Sequence, residues 1–198
     1  NSNVDLKIIF TDGSEAIGEH ILDDEPEDDK AIERIELQPA AKLNERAAEA
    51  IKKADLIIIG PGDYYASLQA ALAPKGIMDA FKASKAKIAY ILNLMTRVTQ
   101  TKNMSAGDHV QGIEKRIGKK VSFVVMNKEK LPKEMKDIYA KAGEHPVKND
   151  LGDDARLVRA SLLSNETFIK ATHDTAHRSV LRHDDEKLIP VLTELLKK

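Results

Sequence analysis

Leu56-Ile57-Ile58-Ile59-Gly60-Pro61-Gly62 is the stretch that decides the fold. An unbroken aliphatic run that ends at glycine is typical of a strand buried on both faces, as in a parallel sheet. Residues 65–73 then read as a helix, and this helix would offer free N–H groups to an anion. Because ligands of open α/β sheets bind beyond the carboxyl ends of the strands, the glycine turn is a candidate site. The alternative is a tight strand-to-helix turn without a ligand.

Two further apolar runs, at 87–92 and 121–126, are each separated from the previous strand by a helical segment. This alternation predicts βαβ units, and right-handed crossovers would place the strands in one parallel sheet. Asn93 and Asn127 follow the two runs directly. Polar residues at strand ends face the expected ligand crevice, although both asparagines could equally bond loop backbone.

The amino-terminal part has a different pattern. Residues 4–10 and 16–22 flank an Asp-Gly turn, which predicts a β-hairpin. Residues 32–37 alternate apolar and charged side chains, as a half-buried strand does. We therefore expect a β-hairpin and strand subregion over 1–38.

The remainder, 39–198, is expected to form a βαβ core with a carboxyl-terminal helix. The fold class is then α/β, with three layers and a mostly parallel, Rossmann-like sheet behind an amino-terminal hairpin. At 198 residues the chain is predicted to be a single domain.

Composition excludes several classes of function. The net charge of −1 gives no global field that would favour nucleic acid or a membrane surface, so neither is predicted as a partner. The absence of cysteine excludes disulfide and thiol chemistry. No apolar run approaches the length that spans a bilayer, and a cytoplasmic location is expected.

Ser105 and Asp108 are spaced as a capping box at the start of a helix that is predicted to reach Ile117 and to close at Gly118. His109 lies in the first turn, where the helix dipole disfavours its charged form. A neutral histidine there could contact a ligand, or it could serve only packing beside the cap.

Arg182 and His183 precede Asp184, which is predicted to cap the last helix. Arginine is a natural bidentate partner of phosphate, and the alternative is a surface arginine beside a helix cap. His173 and His177 lie four residues apart, as in zinc helices, but no third ligand is evident. We therefore predict a solvated loop there and no metal site.

Taken together, these residues resemble the family of CofD-like and YvcK-like proteins. The strand and loop at 56–68, Asn93-Leu94-Met95-Thr96, Ser105-Ala106-Gly107-Asp108-His109-Val110 and Leu181-Arg182-His183-Asp184 match family motifs in order and spacing. The N-x-M-T motif and the likeness to the family's S-D-H-V motif favour the gluconeogenesis-factor branch over the 2-phospho-L-lactate transferase branch. The family's amino-terminal Gly-rich segment has no counterpart here, so we expect the chain to match only the carboxyl-terminal part of the family.

The resemblance implies a regulatory protein of carbon metabolism or cell-envelope morphogenesis that binds a UDP-sugar or another nucleotide-containing small molecule, with a homodimer as one possible state. The alternatives are a phospholactate-type transferase that uses Mg²⁺, and a non-catalytic interaction domain. No cofactor is predicted otherwise, and no catalytic residue is assigned. The candidate ligand-binding residues are Gly60, Pro61, Gly62, Tyr65, Ser67, Asn93, Thr96, Thr101, Asp108, His109, Asn127, Tyr139, Arg182 and His183.

Overall fold

The computed structural model describes residues 3–23, 30–165 and 180–198. It contains two sheets with helices packed between and against them. The strands are β1 (Asp5–Phe10), β2 (Glu15–Ile17), β3 (Ile32–Gln38), β4 (Leu56–Ile59), β5 (Lys87–Ile91), β6 (Phe123–Asn127) and β7 (Leu157–Ala160). The helices are α1 (Glu45–Lys53), α2 (Ile77–Ala83), α3 (Ala106–Ile117), α4 (Lys133–Lys141) and α5 (Asp185–Lys197).

The larger sheet has the order β4-β5-β6-β7, and all its pairs are parallel. Alternate side chains of its central strands point to opposite faces of the sheet, as the two-residue period of a strand requires, and each face packs into its own hydrophobic core. Ile88 and Tyr90 pack towards α2 and α3, whereas Ala89 and Ile91 pack towards α5. Helices therefore cover both faces, and the predicted three-layer α/β architecture is confirmed.

The prediction that the aliphatic strand β4 is buried on both faces is wrong. Within the described residues β4 is an edge strand that pairs only with β5, and the side chain of Ile58 is 46% exposed. The cause is the position of α5, which packs on β5 and leaves the outer strand partly uncovered. An apolar run indicates that a strand prefers to be buried, but it does not indicate where that strand lies in the order of the sheet.

The smaller sheet is antiparallel, in the order β2-β1-β3. The predicted hairpin is present, but its second strand is shorter than expected because β2 ends at Ile17 and a 3₁₀ turn spans Glu19–Leu22. Ile8 and Ile35 are fully buried in the same core as α2 and α3. The small sheet is thus packed against one face of the βαβ layer.

Several helix ends lie where the sequence predicts them. Ser105 and Asp108 form a complete capping box on α3, and Gly118 ends that helix with a φ of 66°. Asp184 caps α5 by accepting a hydrogen bond from the Lys187 amide. Helix α1 begins at Glu45, because the Asn44 side chain accepts a hydrogen bond from the Arg46 amide and caps the helix.

Two segments outside the regular strands and helices also help to position the site. After α4, the Val147 amide donates to Leu94 O, and an isolated bridge joins Met95 to Pro146. The segment predicted as a helix over 65–73 is helical over a shorter range, as a π-helical turn at Tyr64–Gln69 followed by helical residues 70 and 71. His173 and His177 lie outside the described residues.

None of the helices in the described part of the chain has the length and apolar character that a membrane span requires.

Candidate functional site

A cavity of about 510 Å³ lies at the carboxyl edge of the parallel sheet, beyond β4 and β5. Its size falls in the ordinary range of small-molecule sites, about 300–1,000 Å³. We call it the strand-end cavity. Its walls come from the Gly-Pro-Gly loop, from the loop after β5, from α4 and from the segment before α5. The lining includes eight of the predicted residues, namely Pro61, Gly62, Asn93, Thr96, Thr101, Tyr139, Arg182 and His183.

The Gly-Pro-Gly loop is held in place from the neighbouring strand. Gly60 has a φ of 94°, and a Cβ at this position would lie 3.0 Å from the Ile91 carbonyl oxygen. Glycine is therefore required there by both backbone conformation and close approach. The Asn93 amide donates to Gly62 O at 2.8 Å, and its oxygen accepts from the Tyr90 hydroxyl at 3.2 Å. Asn93 thus bonds loop backbone and lines the cavity at the same time.

The expectation that a helix after the loop offers free N–H groups to an anion is wrong for two of its first donors. The amides of Tyr65 and Ala66 both donate to Gln100 Oε1, at 3.1 and 3.2 Å. The amides of Ser67 and Leu68 donate to Asp63 O, as a π-helical turn allows. Gln100 therefore occupies the position that an anion would take at this helix terminus.

The loop after β5 forms a second wall. The Arg97 guanidinium bonds Asp63 Oδ2 at 3.3 Å and Asp23 Oδ1 at 2.9 Å. Thr101 Oγ1 accepts from the Arg97 amide at 2.8 Å, and Thr96 Oγ1 accepts from the His145 amide at 2.9 Å. Both threonine hydroxyls are thus already bonded to backbone, and Arg97 links this loop to the strand-end turn.

The segment before α5 closes the cavity from the opposite side. The Leu181 amide donates to the Tyr139 hydroxyl at 3.0 Å, which ties this segment to α4. The amide of Ser164 donates to Arg182 O at 3.0 Å, while the Arg182 side chain is exposed on the cavity wall. Leu181 and Arg182, more than a hundred positions from Gly60 in the sequence, therefore line the same cavity as the Gly-Pro-Gly loop.

His183 is held neutral in this wall. Burial lowers its pKa to about 4, against a hydrogen bond with the Leu92 backbone and the charge of Asp185, which both act in the opposite direction. Its Nε2 is buried and has no hydrogen-bond partner within the described residues. A buried histidine with a depressed pKa makes the folded state resist protonation.

Acidification is therefore expected to destabilise the protein through His183. In the unfolded state His183 has its ordinary pKa near 6.5 and is protonated below that pH, whereas in the folded state it is protonated only below about pH 4. Stability is then fully present above pH 6.5 and falls as the pH drops towards 4, by at most about 3 kcal/mol from this group. Urea unfolding at a series of pH values measures the slope.

His183→Gln is expected to flatten this pH dependence, and His20→Gln serves as the control because His20 is exposed. Burial also lowers the pKa of His109, so a residual slope of the same sign is expected in the His183 variant. An unchanged slope in His183→Gln would show that protonation of this histidine is not coupled to unfolding.

The remaining predicted site residues lie outside the lining of the strand-end cavity. Gly60 is next to it, and Ser67 lies beyond Gly62 in the π-helical turn. Tyr65 is buried and donates to Ile32 O at 3.0 Å, towards the small sheet. Asp108 is engaged in the capping box.

His109 and Asn127 also lie outside this lining. His109 is fully buried and stacks edge-on against Tyr64, a lining residue, with ring centroids 4.7 Å apart. Asn127 lies at a second cavity, and its side chain bonds the backbone of Glu129 and Leu162. The structure thus brings His109 within one side chain of the strand-end cavity and places Asn127 elsewhere.

Sequence reasoning missed several residues that shape the cavity. Three carboxylates, Asp63, Glu144 and Asp185, line it together with Arg97. Asp63 follows the Gly-Pro-Gly turn directly and could have been found from that position. Gln100 and Glu144 lie in segments without periodicity, where no local pattern marks a residue that acts across the fold. Among the described residues, no three His, Asp or Glu side chains are grouped closely enough to hold a metal ion.

Comparison with known proteins gives consistent matches. Residues 1–168 match the family described as 2-phospho-L-lactate transferase CofD. A gluconeogenesis factor from Bacillus subtilis is 32% identical over 100% of this chain and 60% of its own length. A gluconeogenesis factor from Halalkalibacterium halodurans is 32% identical over 98% of this chain and 58% of its own length.

A crystal structure of a UPF0052-family protein from Bacillus halodurans superposes with a TM-score of 0.80 at 29% identity. The match covers 98% of this chain and 59% of that protein. The chain therefore spans about three fifths of the length of these relatives.

Proposed function

This chain belongs to the CofD family, and we propose that its strand-end cavity binds a nucleotide-sugar, specifically a UDP-sugar, as the ligand of a non-catalytic regulatory protein of carbon metabolism. The curated relatives named gluconeogenesis factor support the regulatory role. Because the chain spans only part of their length, the activity of the whole protein belongs to this proposal.

The observation that carries the proposal is the convergence of two distant segments on one cavity. The Gly-Pro-Gly loop forms one wall, and Arg182 with Tyr139 forms the opposite wall. A cavity at the carboxyl ends of parallel strands is where open α/β sheets bind ligands. A guanidinium on its wall suits a diphosphate, because its planar donors can pair with two phosphate oxygens.

We assign different parts of such a ligand to different walls on the basis of the polar lining. Gln100 already fills the amino terminus of the π-helical turn, so the phosphates are assigned to the Arg182 wall instead. Asp63, Glu144 and the Asn93 side chain provide hydrogen-bond groups that suit sugar hydroxyls. The side chain of Ile138 and the Tyr139 ring add apolar surface on α4 for a base or sugar face.

Arg182→Gln is expected to weaken UDP-sugar binding by about 10-fold to 100-fold, the range of a lost charge-assisted hydrogen bond. The free energy of unfolding should change by less than about 0.5 kcal/mol, because the side chain is exposed. Isothermal titration calorimetry of the 198-residue chain with UDP-glucose and UDP-N-acetylglucosamine measures the first effect, and urea unfolding measures the second.

Arg46→Gln is the matched control, since Arg46 is exposed on α1 and lies on neither cavity. It should leave affinity unchanged. Equal affinities of Arg182→Gln and the unaltered chain would refute the assignment of the diphosphate to Arg182. Saturable binding of UDP that does not improve with any UDP-sugar would refute the sugar part of the proposal.

A second candidate function is transfer of a phospholactate-type group, which the description of the matched family favours. Such enzymes would need Mg²⁺ beside the ligand phosphates, and Mg²⁺ is commonly held by one or two carboxylates plus those phosphates. The described residues do not form a metal centre by themselves. Asp63 is already paired with Arg97, so no catalytic step is assigned to the chain.

A further inference from the structure

A second cavity, of about 430 Å³, lies beside the strand-end cavity at the carboxyl ends of β5 and β6. Leu92 and Met126 form its floor, and the loop that leads into α4 forms its rim. Four cationic side chains line it against one carboxylate, so we call it the basic cavity. The cations are Lys128, Lys130, Lys136 and Arg159, and the carboxylate is Glu129.

The charges of the basic cavity are not neutralised from within. Glu129 Oε2 accepts from the Leu163 amide at 2.8 Å, and its other oxygen lies 3.9 Å from the Lys187 ammonium. Within the described residues, Lys128, Lys130 and Lys136 have no salt bridge. The protein as a whole is nearly neutral, so this concentration of cations is local rather than a consequence of composition.

The two cavities are separate but share a wall. Asn93 and Leu94 line both, and Val147 reinforces the wall by donating its amide to Leu94 O at 3.1 Å. Helix α4 serves the two cavities with different residues: Tyr139 faces the strand-end cavity and Lys136 faces the basic cavity. α4 also begins beside the basic cavity without a side-chain cap, which adds the positive end of its dipole.

We propose that the basic cavity is a second ligand site, which takes the phosphate groups of a small anionic metabolite while the strand-end cavity holds a different ligand. Lysine ammonium groups on flexible side chains bind phosphate as point charges. Several lysines around a concave surface bind a dianion more tightly than a single lysine does. The site lies at the sheet edge where α/β proteins bind ligands. This inference does not depend on the ligand proposed for the strand-end cavity.

The test uses inorganic pyrophosphate as the probe and the ¹⁵N-labelled 198-residue chain at low ionic strength. Saturable amide shifts are expected at Lys128, Lys130 and Leu131. A Lys128→Gln/Lys136→Gln double variant should bind about tenfold more weakly, and added salt should weaken binding further. The matched control is Lys133→Gln/Lys141→Gln, which removes two exposed lysines of the α4 region that line neither cavity and should leave affinity unchanged.

Arg182→Gln separates this proposal from the proposed function. If pyrophosphate occupies the basic cavity, that variant leaves the shifts at Lys128 and Lys130 unchanged. Amide shifts confined to Gly62, Asp63 and Arg182, which line the strand-end cavity, would overturn the proposal, as would the absence of saturable binding. Equal weakening in the two double-lysine variants would also overturn it, because it would show non-specific attraction to surface charge.

Discussion

Replacing Gly112 by alanine is expected to lower the free energy of unfolding by about 3 kcal/mol. Gly112 lies on α3 against the buried Tyr64, and a Cβ there would overlap the Tyr64 hydroxyl oxygen. That hydroxyl donates to His109 O and accepts from Gln69 Nε2, both at 3.1 Å. The added methyl group forces the ring away and breaks both hydrogen bonds. Urea unfolding measures the loss.

The matched control is Gly107→Ala on the same helix. The atoms nearest to a Cβ at Gly107 belong to the exposed Asp150 carboxylate, the closest at 3.0 Å, and this side chain, which accepts from the Gly107 amide at 2.8 Å, can shift into solvent. Stability should stay within about 1 kcal/mol of the unaltered chain, because alanine is also favoured over glycine in a helix.

Tyr64→Phe should rescue part of the Gly112→Ala loss, since it removes the oxygen that is overlapped. A double variant whose loss equals the sum of the single losses would show that the two sites are not coupled. Because Tyr64 lines the strand-end cavity, Gly112→Ala is also expected to weaken ligand binding there.

Gln100→Ala is expected to cost about 3 kcal/mol of stability. Gln100 is 6% exposed, and its Oε1 accepts from the amides of Tyr65 and Ala66. Its removal leaves two backbone donors at the start of the π-helical turn without their partner, and each such group costs about 1–3 kcal/mol. It also removes the link from Gln100 Nε2 to Leu22 O, at 3.4 Å, in the small-sheet region.

Chemical denaturation of Gln100→Ala and Gln111→Ala checks this expectation. Gln111 is exposed on α3, and its replacement should change stability by less than about 0.5 kcal/mol. If both variants unfold at the same denaturant concentration, Gln100 does not stabilise the turn. Hydrogen exchange at Tyr65 and Ala66 gives a local readout, and faster exchange is expected in Gln100→Ala.

Local patterns in the sequence were enough to identify the βαβ core. The runs that became β5 and β6 lie between helical segments, and consecutive parallel strands are connected in that way. The capping box of Ser105 and Asp108 and the closing Gly118 fixed α3, because these groups act within one helix turn. The remaining motifs follow no helix or strand periodicity and were linked only by their resemblance to a family. The match to the CofD family confirms that resemblance.

The edge position of β4 in the sheet, and the partners of the backbone amides after the Gly-Pro-Gly loop, were decided only by tertiary structure. Four consecutive aliphatic residues predicted a buried strand, yet within the described residues β4 pairs only with β5 and is therefore an edge strand, with Ile58 46% exposed. The free N–H groups expected after Gly-Pro-Gly are bonded by Gln100, a residue 35 positions from Tyr65 in the chain. Sequence spacing specifies interactions within a helix turn or between neighbouring strands, whereas burial and long-range hydrogen bonds depend on which surfaces meet in the folded chain.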